Sequence, residues 1–160
     1  MHFKRHFQNA YVTHDIEAAK EFTTKQYGVT DYICFDPDTV VKTPQGQIPQ
    51  RVRVVLAWIG NFQIELIQPI SGFVDVFKDY LPPNKSDPGL RFHHICMRRD
   101  DLDAMHAEVD AMGLPRVFEN EYPGGYYIYV DARKTLGHYI EYNCATEEGW
   151  KMMGWPESLP

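Results

Sequence analysis

The chain repeats one order of predicted secondary structure, and this repeat restricts its fold more than any other feature. Hydrophobic periodicity and turn residues predict a strand, a helix and three further strands in the first half, and the same order in the second. Short matching segments support the repeat: DIEA at 15–18 corresponds to DLDA at 101–104, and IEL at 64–66 corresponds to IEY at 140–142. We therefore expect two similar βαβββ modules in an α+β fold.

The first module is predicted at residues 1–70. Its helix is expected at 14–29, because Asp15 is a favourable N-cap and Gly28 is a typical helix terminator. The polar stretch 37–50 contains several prolines and is interpreted as a loop that lengthens this module. The strands of this module are expected at 6–12, 31–36, 51–59 and 62–69.

The second module is predicted at residues 91–146, after a linker at 71–90 that includes a candidate short helix. Its long helix is expected at 100–114, where apolar residues recur at helical spacing. The strands of this module are expected at 91–99, 115–122, 124–132 and 138–143. A C-terminal tail is predicted at 147–160, and its two tryptophans leave three roles open: capping the sheet, covering a cleft or packing on a partner chain.

Each module places a carboxylate within its last strand, between apolar neighbours. These carboxylates belong to Glu65 and Glu141, and the repeat pairs Gln8 with His94 on the first strands. Two modules related by a local two-fold axis would form a curved mixed sheet around one cavity that holds all four side chains. Facing carboxylates in such a cavity repel and lose hydration, and a divalent cation removes both penalties.

We therefore predict a metal-binding cavity that holds one divalent metal ion per chain, with Gln8, Glu65, His94 and Glu141 as ligands. An oxygen-rich donor set with one imidazole suits Zn²⁺, Ni²⁺, Co²⁺, Mn²⁺ or Fe²⁺. Such sites keep positions open for water, and a substrate oxygen can bind there and be polarised.

The duplicated βαβββ order, with polar residues at these four positions, resembles the vicinal oxygen chelate superfamily. This superfamily includes glyoxalase I, methylmalonyl-CoA epimerase, extradiol dioxygenases and bleomycin-resistance proteins. The resemblance covers the chain except for residues 70–90 and those after 146. It implies metal ligands at the four positions named above, and the Gln, Glu, His, Glu set is similar to that of one branch of glyoxalase I.

The resemblance implies proton transfer next to a metal-chelated carbonyl. A substrate with two neighbouring oxygens, such as a hydroxyketone, a thiohemiacetal or a β-keto acid derivative, would chelate the metal. Its adjacent C–H would become acidic, and Glu141 or Glu65 would act as the catalytic base. In glyoxalase I that role is assigned to the residue in the position of Glu141. The implied activity is that of a metal-dependent isomerase, lyase or epimerase.

Two departures from the resemblance concern the substrate. Epimerases of this superfamily carry a further glutamate in the third strand of the first module, and that position falls near Arg53 here. Arg53 is therefore a candidate for binding an anionic group of the substrate. The segment IQPISG, at 67–72, replaces the asparagine-bearing segment that glyoxalase I uses to hold glutathione.

Two other functions remain as alternatives. An extradiol-type dioxygenase would use Fe²⁺ and normally two histidines and one glutamate, whereas Gln8 stands in place of the first histidine and a glutamate occupies the fourth position. A metal-free binding protein of the bleomycin-resistance kind would lose the ligands, whereas all four positions are polar here.

Composition limits the partners. The net charge of −6 and the lack of a basic cluster argue against nucleic acid and anionic membranes as partners. No apolar run approaches the length of a membrane span, and the N-terminus does not read as a secretory signal. The three cysteines, Cys34, Cys96 and Cys144, are interpreted as reduced thiols of a cytoplasmic protein. Edge strands of βαβββ modules are commonly covered by a second chain, so we expect a homodimer.

Overall fold

The computed structural model describes residues 4–157, and in this range one mixed sheet of nine strands carries the fold. The strands are β1 (His6–Val12), β2 (Ile33–Phe35), β3 (Asp38–Thr43), β4 (Gly46–Ile59), β5 (Phe62–Gly72), β6 (Arg91–Arg99), β7 (Arg116–Tyr122), β8 (Gly125–Asp131) and β9 (Tyr139–Ala145). The helices are α1 (Ile16–Tyr27), α2 (Asp75–Lys78), α3 (Leu102–Met112), α4 (Arg133–Leu136) and α5 (Glu147–Met152). The α+β fold with a curved, closed sheet is confirmed.

The two long helices begin and end where local sequence signals predict. The Asp15 carboxylate accepts hydrogen bonds from the backbone N–H groups of Glu17 and Ala18, which caps the start of α1. Asp101 caps α3 in the same way through the N–H of Ala104. Each helix ends at a glycine in the left-handed conformation, where residues with a Cβ are strained. Gly28 ends α1, and Gly113 ends α3.

The strand order brings the equivalent strands of the two halves together. The order around the sheet is β2-β4-β3-β7-β8-β9-β6-β1-β5, and β5 pairs again with β4, so the strands form a ring. β1 and β6 pair antiparallel at the junction of the two halves. β5 lies parallel to β1 and β9 lies parallel to β6, so the last strand of each half is next to its own first strand.

The two long helices, α1 and α3, cover the outside of this ring. Ile16 and Ala19 of α1 pack on Leu66 of the sheet, in a cluster of fully buried side chains. On the other half, Met105 and Val109 of α3 pack with a second cluster that includes Ile140 and Tyr142. Because alternate residues of a strand face opposite sides of a sheet, Glu65 and Glu141 are directed to the inside of the ring.

The prediction of a loop at 37–50 is wrong, because this stretch forms β3 and the first part of β4. The two strands pair from Asp38–Arg51 to Thr43–Gly46. The Pro-Gln-Gly sequence is the hairpin turn itself: Thr43 Oγ1 donates to the carbonyl of Gly46 and accepts from the N–H of Gln45. Val41 is fully buried, and Lys42 pairs with Glu119 of β7, which closes the ring.

Residues between β5 and β6 and after β9 also contain helices. α2 buries Phe77 against the sheet interior, as expected for a short helix in this segment. α5 forms the first part of the predicted tail. Cys34, Cys96 and Cys144 carry free thiols. No helix within residues 4–157 has both the length and the hydrophobicity to cross a membrane.

Candidate metal centre

Three of the four predicted ligands meet inside the ring. Glu65 on β5, His94 on β6 and Glu141 on β9 place one ligand atom each within 4.8 Å of the others. The Nε2 atom of His94 lies at the centre, 3.0 Å from Glu141 Oε2 and 3.2 Å from Glu65 Oε2. The fourth predicted ligand, Gln8, is on β1, the strand between β5 and β6, and lines the same cavity.

All four side chains are shielded from solvent. His94 is 0 % exposed, and Gln8, Glu65 and Glu141 are 4 %, 9 % and 6 % exposed. Burial disfavours the carboxylate form and raises the pKa of Glu65. Burial also opposes the charged form of His94, but the hydrogen bond with Glu141 and the nearby carboxylate of Glu65 outweigh it and raise the pKa of His94 to about 9.

Two oxygen atoms of this cluster are buried and have no hydrogen-bond partner among the described residues: Gln8 Oε1 and Glu65 Oε2. His94 Nε2 is within ion-pair distance of Glu65 Oε2, but its single proton is better placed for Glu141. A buried acceptor atom without a hydrogen-bond donor is unfavourable. A bound cation can take the place of the missing donor. Two carboxylates, an imidazole and an amide oxygen therefore fit a divalent ion.

A second histidine, whose role was not predicted, orients His94. His93 is fully buried; its Nε2 atom lies 2.9 Å from the carbonyl of Val76, and its Nδ1 atom lies 2.9 Å from Nδ1 of His94. A carbonyl only accepts, so His93 donates from Nε2 and accepts at Nδ1 from His94. Burial lowers the pKa of His93 well below its usual value, which keeps this ring neutral. The arrangement leaves His94 Nε2 for the carboxylates, or for a metal.

Further unpredicted residues hold Glu141 in place. Asn143 donates from Nδ2 to Glu141 Oε1 at 3.1 Å, and the hydroxyl of Tyr122 donates to Asn143 Oδ1 at 2.6 Å. The hydroxyl of Tyr129 lies 3.3 Å from His94 Nε2. Burial raises the pKa of Tyr129 well above its usual value, so it stays protonated. Asn143 is two residues from Glu141 and therefore shares its inward face, and Tyr129 faces inward because its neighbour Ile128 faces outward. This alternation is the sequence signal that places both side chains inside the ring.

The cluster lies in a cavity of about 360 Å³ with largely apolar walls. Aromatic, aliphatic and thioether side chains dominate these walls: Phe35, Val52, Val54, Leu56, Ile67, Phe77, Phe118, Tyr127, Met152 and Met153. Thr39 and Gln50 of the β3–β4 hairpin also line it, so the insertion of the first half is part of the cavity.

Arg53, the candidate for binding an anionic group of the substrate, does not line this cavity. It lies on the outer face of β4 between Val52 and Val54, which line the cavity. Its guanidinium pairs with Glu17 of α1 at 2.9 Å, and both side chains are substantially exposed. Arg53 is therefore one residue away from the inward-facing positions of β4. A shift of one residue along a strand moves a side chain to the opposite face of the sheet.

The chain belongs to the glyoxalase/bleomycin resistance protein/dioxygenase superfamily, whose family model matches residues 7–130. This match covers most of the chain and agrees with the resemblance seen in the sequence. No curated protein sequence matches the chain significantly.

Solved structures of similar fold include methylmalonyl-CoA epimerases. The Mycobacterium tuberculosis epimerase superposes with a TM-score of 0.61 at 16 % identity, covering 92 % of this chain and 91 % of that one. A Streptomyces coelicolor epimerase variant in complex with 2-nitronate-propionyl-CoA gives 0.57 at 18 % identity, covering 89 % and 97 %. An epimerase in complex with methylmalonyl-CoA and NH4+ gives 0.58 at 18 % identity, covering 89 % and 95 %. At these identities the likeness establishes the fold.

Proposed function

We propose that this protein is a metal-dependent isomerase, epimerase or lyase that moves a proton next to a carbonyl group. The observation that carries the proposal is the buried cluster of Glu65, His94 and Glu141, whose two carboxylates line an apolar cavity. Membership of the superfamily and the fold shared with methylmalonyl-CoA epimerases support the same class of activity.

Gln8, Glu65, His94 and Glu141 would hold the ion. A bound divalent ion supplies Lewis acidity, which polarises a carbonyl oxygen and stabilises the negative charge that develops when the neighbouring C–H ionises. The apolar walls exclude water, and this strengthens the electrostatic interactions of the carboxylates inside the cavity. Two carboxylates balance the charge of a divalent ion, so the cluster with its ion would be neutral before the substrate enters.

Glu141 and Glu65 are the candidate bases. Glu141 is held at both oxygens, by His94 and Asn143, whereas Glu65 Oε2 has no hydrogen bond of its own. We propose that Glu141 accepts the proton, because the Asn143 contact fixes its orientation towards the cavity. Glu65, whose Oε2 atom lies 3.2 Å from His94 Nε2, is the second candidate base.

The substrate is expected to combine neighbouring oxygens with an apolar or ring-bearing substituent. The neighbouring oxygens would face the ion, and the substituent would face the aromatic walls. No lysine or arginine of residues 4–157 lines the cavity, so a buried carboxylate on the substrate would have no cationic side chain as a partner. Hydroxyketones and acyl-CoA esters therefore come before dicarboxylic compounds in a substrate search.

Two measurements test the proposed function. Metal analysis of the purified protein is expected to give about one divalent ion per chain. Incubation of the metal-loaded protein with 2-hydroxyacetophenone in D₂O is expected to replace the hydrogens next to the carbonyl, which proton NMR detects. Glu141→Gln should lose this exchange, and Glu121→Gln, which replaces an exposed carboxylate that lines the cavity outside the cluster, is the matched control. A protein that holds no divalent ion at all contradicts the proposal.

Neither alternative is favoured by an observation at this site. An extradiol-type dioxygenase would consume oxygen with catechols, and an oxygen electrode separates that activity from proton transfer. A metal-free binding protein would leave the two orphaned oxygens without a function. The homodimer stays a prediction, and light scattering coupled to size exclusion would test it.

A further inference from the structure

The C-terminal segment, defined here as residues 147–157, packs against the first half of the molecule. Trp150 and Met153 are buried in a cluster with Phe7 of β1 and Leu56 of β4. Met152 and Met153 also line the cavity. Of the three roles left open for this segment, the structure therefore shows that it covers the sheet and contributes to the cavity wall.

One backbone carbonyl links this segment to a predicted metal ligand. The carbonyl of Met153 accepts hydrogen bonds from Trp58 Nε1 at 3.0 Å and from Gln63 Nε2 at 2.9 Å. Gln63, which is fully buried, accepts at its Oε1 atom from Gln8 Nε2 at 2.6 Å. Gln8 and Gln63 are directly paired residues on β1 and β5, so this contact is part of the sheet.

The direction of these hydrogen bonds determines the orientation of the side-chain carboxamides of Gln63 and Gln8. The two ends of a carboxamide are hard to distinguish by shape alone, but a backbone carbonyl can only accept. Gln63 must therefore donate to Met153 and present its oxygen to Gln8. Gln8 must then donate in turn, which leaves its own oxygen as the buried atom without a partner. An amide oxygen binds a divalent cation, whereas an amide nitrogen does not.

We propose that Gln63 is a positioning residue, and that together with the C-terminal segment it fixes the carboxamide of Gln8 with its oxygen available to the metal ion. This inference rests on the proposed metal-dependent function. The C-terminal segment is then part of the metal centre, although it supplies no ligand. By linkage, metal binding and docking of the segment stabilise each other.

A purely structural role for Gln63 is the competing explanation. Gln63 would then hold the C-terminal segment in place, and Gln8 would be unaffected. Trp58 provides the matched control, because it donates to the same carbonyl of Met153 and makes no hydrogen bond to Gln8 within the described residues. Loss of the Trp58 or the Gln63 donor weakens the attachment of the C-terminal segment. Only loss of Gln63 also removes the hydrogen bond that orients the carboxamide of Gln8.

The test is a competitive titration with Zn²⁺ and a chromophoric chelator on the full chain. Gln63→Met should weaken Zn²⁺ binding about 10- to 100-fold, the range typical for residues that orient metal ligands. Trp58→Phe should change it less than about 3-fold. In a Gln8→Ala background, Gln63→Met should have no further effect, because the residue it orients is gone.

Hydrogen exchange of the wild-type protein is the second measurement and needs no variant. Zn²⁺ should slow the exchange of backbone amides in residues 147–157. Unchanged exchange, or a Gln63→Met effect that persists in the Gln8→Ala background, overturns the inference while leaving the proposed function intact. A wild-type protein that binds no Zn²⁺, Ni²⁺, Co²⁺, Mn²⁺ or Fe²⁺ contradicts the proposed function itself.

Discussion

The two halves of the candidate metal centre hold their first-strand residues through similar chains of hydrogen bonds, but these chains end in different parts of the molecule. In the second half, His94 contacts His93, and His93 donates to the carbonyl of Val76. In the first half, Gln8 contacts Gln63, and Gln63 donates to the carbonyl of Met153. Each chain of hydrogen bonds ends at a backbone carbonyl, which fixes its direction.

The difference between the halves lies in the distance along the sequence. Val76 is only 17 residues from His93, whereas Met153 is 90 residues from Gln63. The histidine side of the centre is therefore completed by a neighbouring segment, and the glutamine side by the far end of the described chain. We therefore expect substitutions in the C-terminal segment to affect the orientation of Gln8 more than that of His94.

Removal of a ligand from the second half should have the largest effect. His94→Ala and Glu141→Ala are each expected to lower metal affinity at least about 100-fold, because they remove an atom that contacts the ion rather than one that orients it. Metal analysis after dialysis measures the loss. Glu121→Ala, a carboxylate of the cavity mouth outside the cluster, should keep its metal. A full metal content in both ligand variants would disprove the site.

The next effect compares the two orienting residues. His93→Phe keeps an aromatic ring beside Phe77 and Tyr139 but removes the acceptor for His94 Nδ1–H. Zn²⁺ affinity should fall about 10- to 100-fold, and at least as much as in Gln63→Met, because imidazole is a stronger ligand than an amide oxygen. The same chelator titration compares the two variants side by side. A larger loss of Zn²⁺ affinity in Gln63→Met than in His93→Phe would contradict this order of effects.

A smaller effect tests the hairpin that only the first half carries. Val41 is fully buried, so Val41→Ala should lower the free energy of unfolding by about 2 kcal/mol through lost apolar burial and a residual void. Val40, its neighbour on the opposite face, is 49 % exposed, and Val40→Ala should change stability by less than about 0.5 kcal/mol. Urea denaturation of both variants measures the difference. Equal values would mean that β3 is not part of the core.

The smallest effect concerns a surface ion pair of the second half. A hydrogen bond from Arg133 lowers the pKa of Asp131 below its usual value. The pair therefore adds stability above the ordinary aspartate pKa, and this contribution disappears as the pH falls through the lowered value. Asp131→Asn should lower the free energy of unfolding by less than about 1 kcal/mol at pH 7.

Thermal unfolding of wild type and Asp131→Asn between pH 7 and pH 2 checks this dependence, since the two curves should converge at the acid end. Glu17→Gln is the comparison in the first half, where the ion pair with Arg53 is more exposed. A difference between wild type and Asp131→Asn that grows with acidity would show that the sign is wrong.

Local signals predicted the parts of this fold that depend on neighbouring residues. The cap at Asp15 is formed within one turn of α1, so the residue type alone indicates it. The inward direction of Glu65 and Glu141 follows from alternation along a strand. The division into modules at 1–70 and 91–146 stays a prediction.

Other features depend on contacts that local patterns do not encode. The face on which Arg53 lies depends on the register of β4 against β5, which contains an irregularity between Arg51 and Val52. The composition of the proline-containing stretch 37–50 indicates a loop, and it does not reveal that β3 pairs with β4 and β7. Gln63 and His93 have no distinguishing sequence motif, because each acts through a partner that only the folded chain brings close.

The β3–β4 hairpin has a consequence for stereochemistry. A cavity built by two equivalent halves would present nearly the same surroundings to both faces of a flat enolate lying between Glu65 and Glu141. Thr39 and Gln50 of the hairpin line one side of the cavity, and the described second half has no such insertion. The insertion therefore makes the two contributions to the cavity wall unequal, and a planar intermediate of the proposed reaction would meet different surroundings on its two faces.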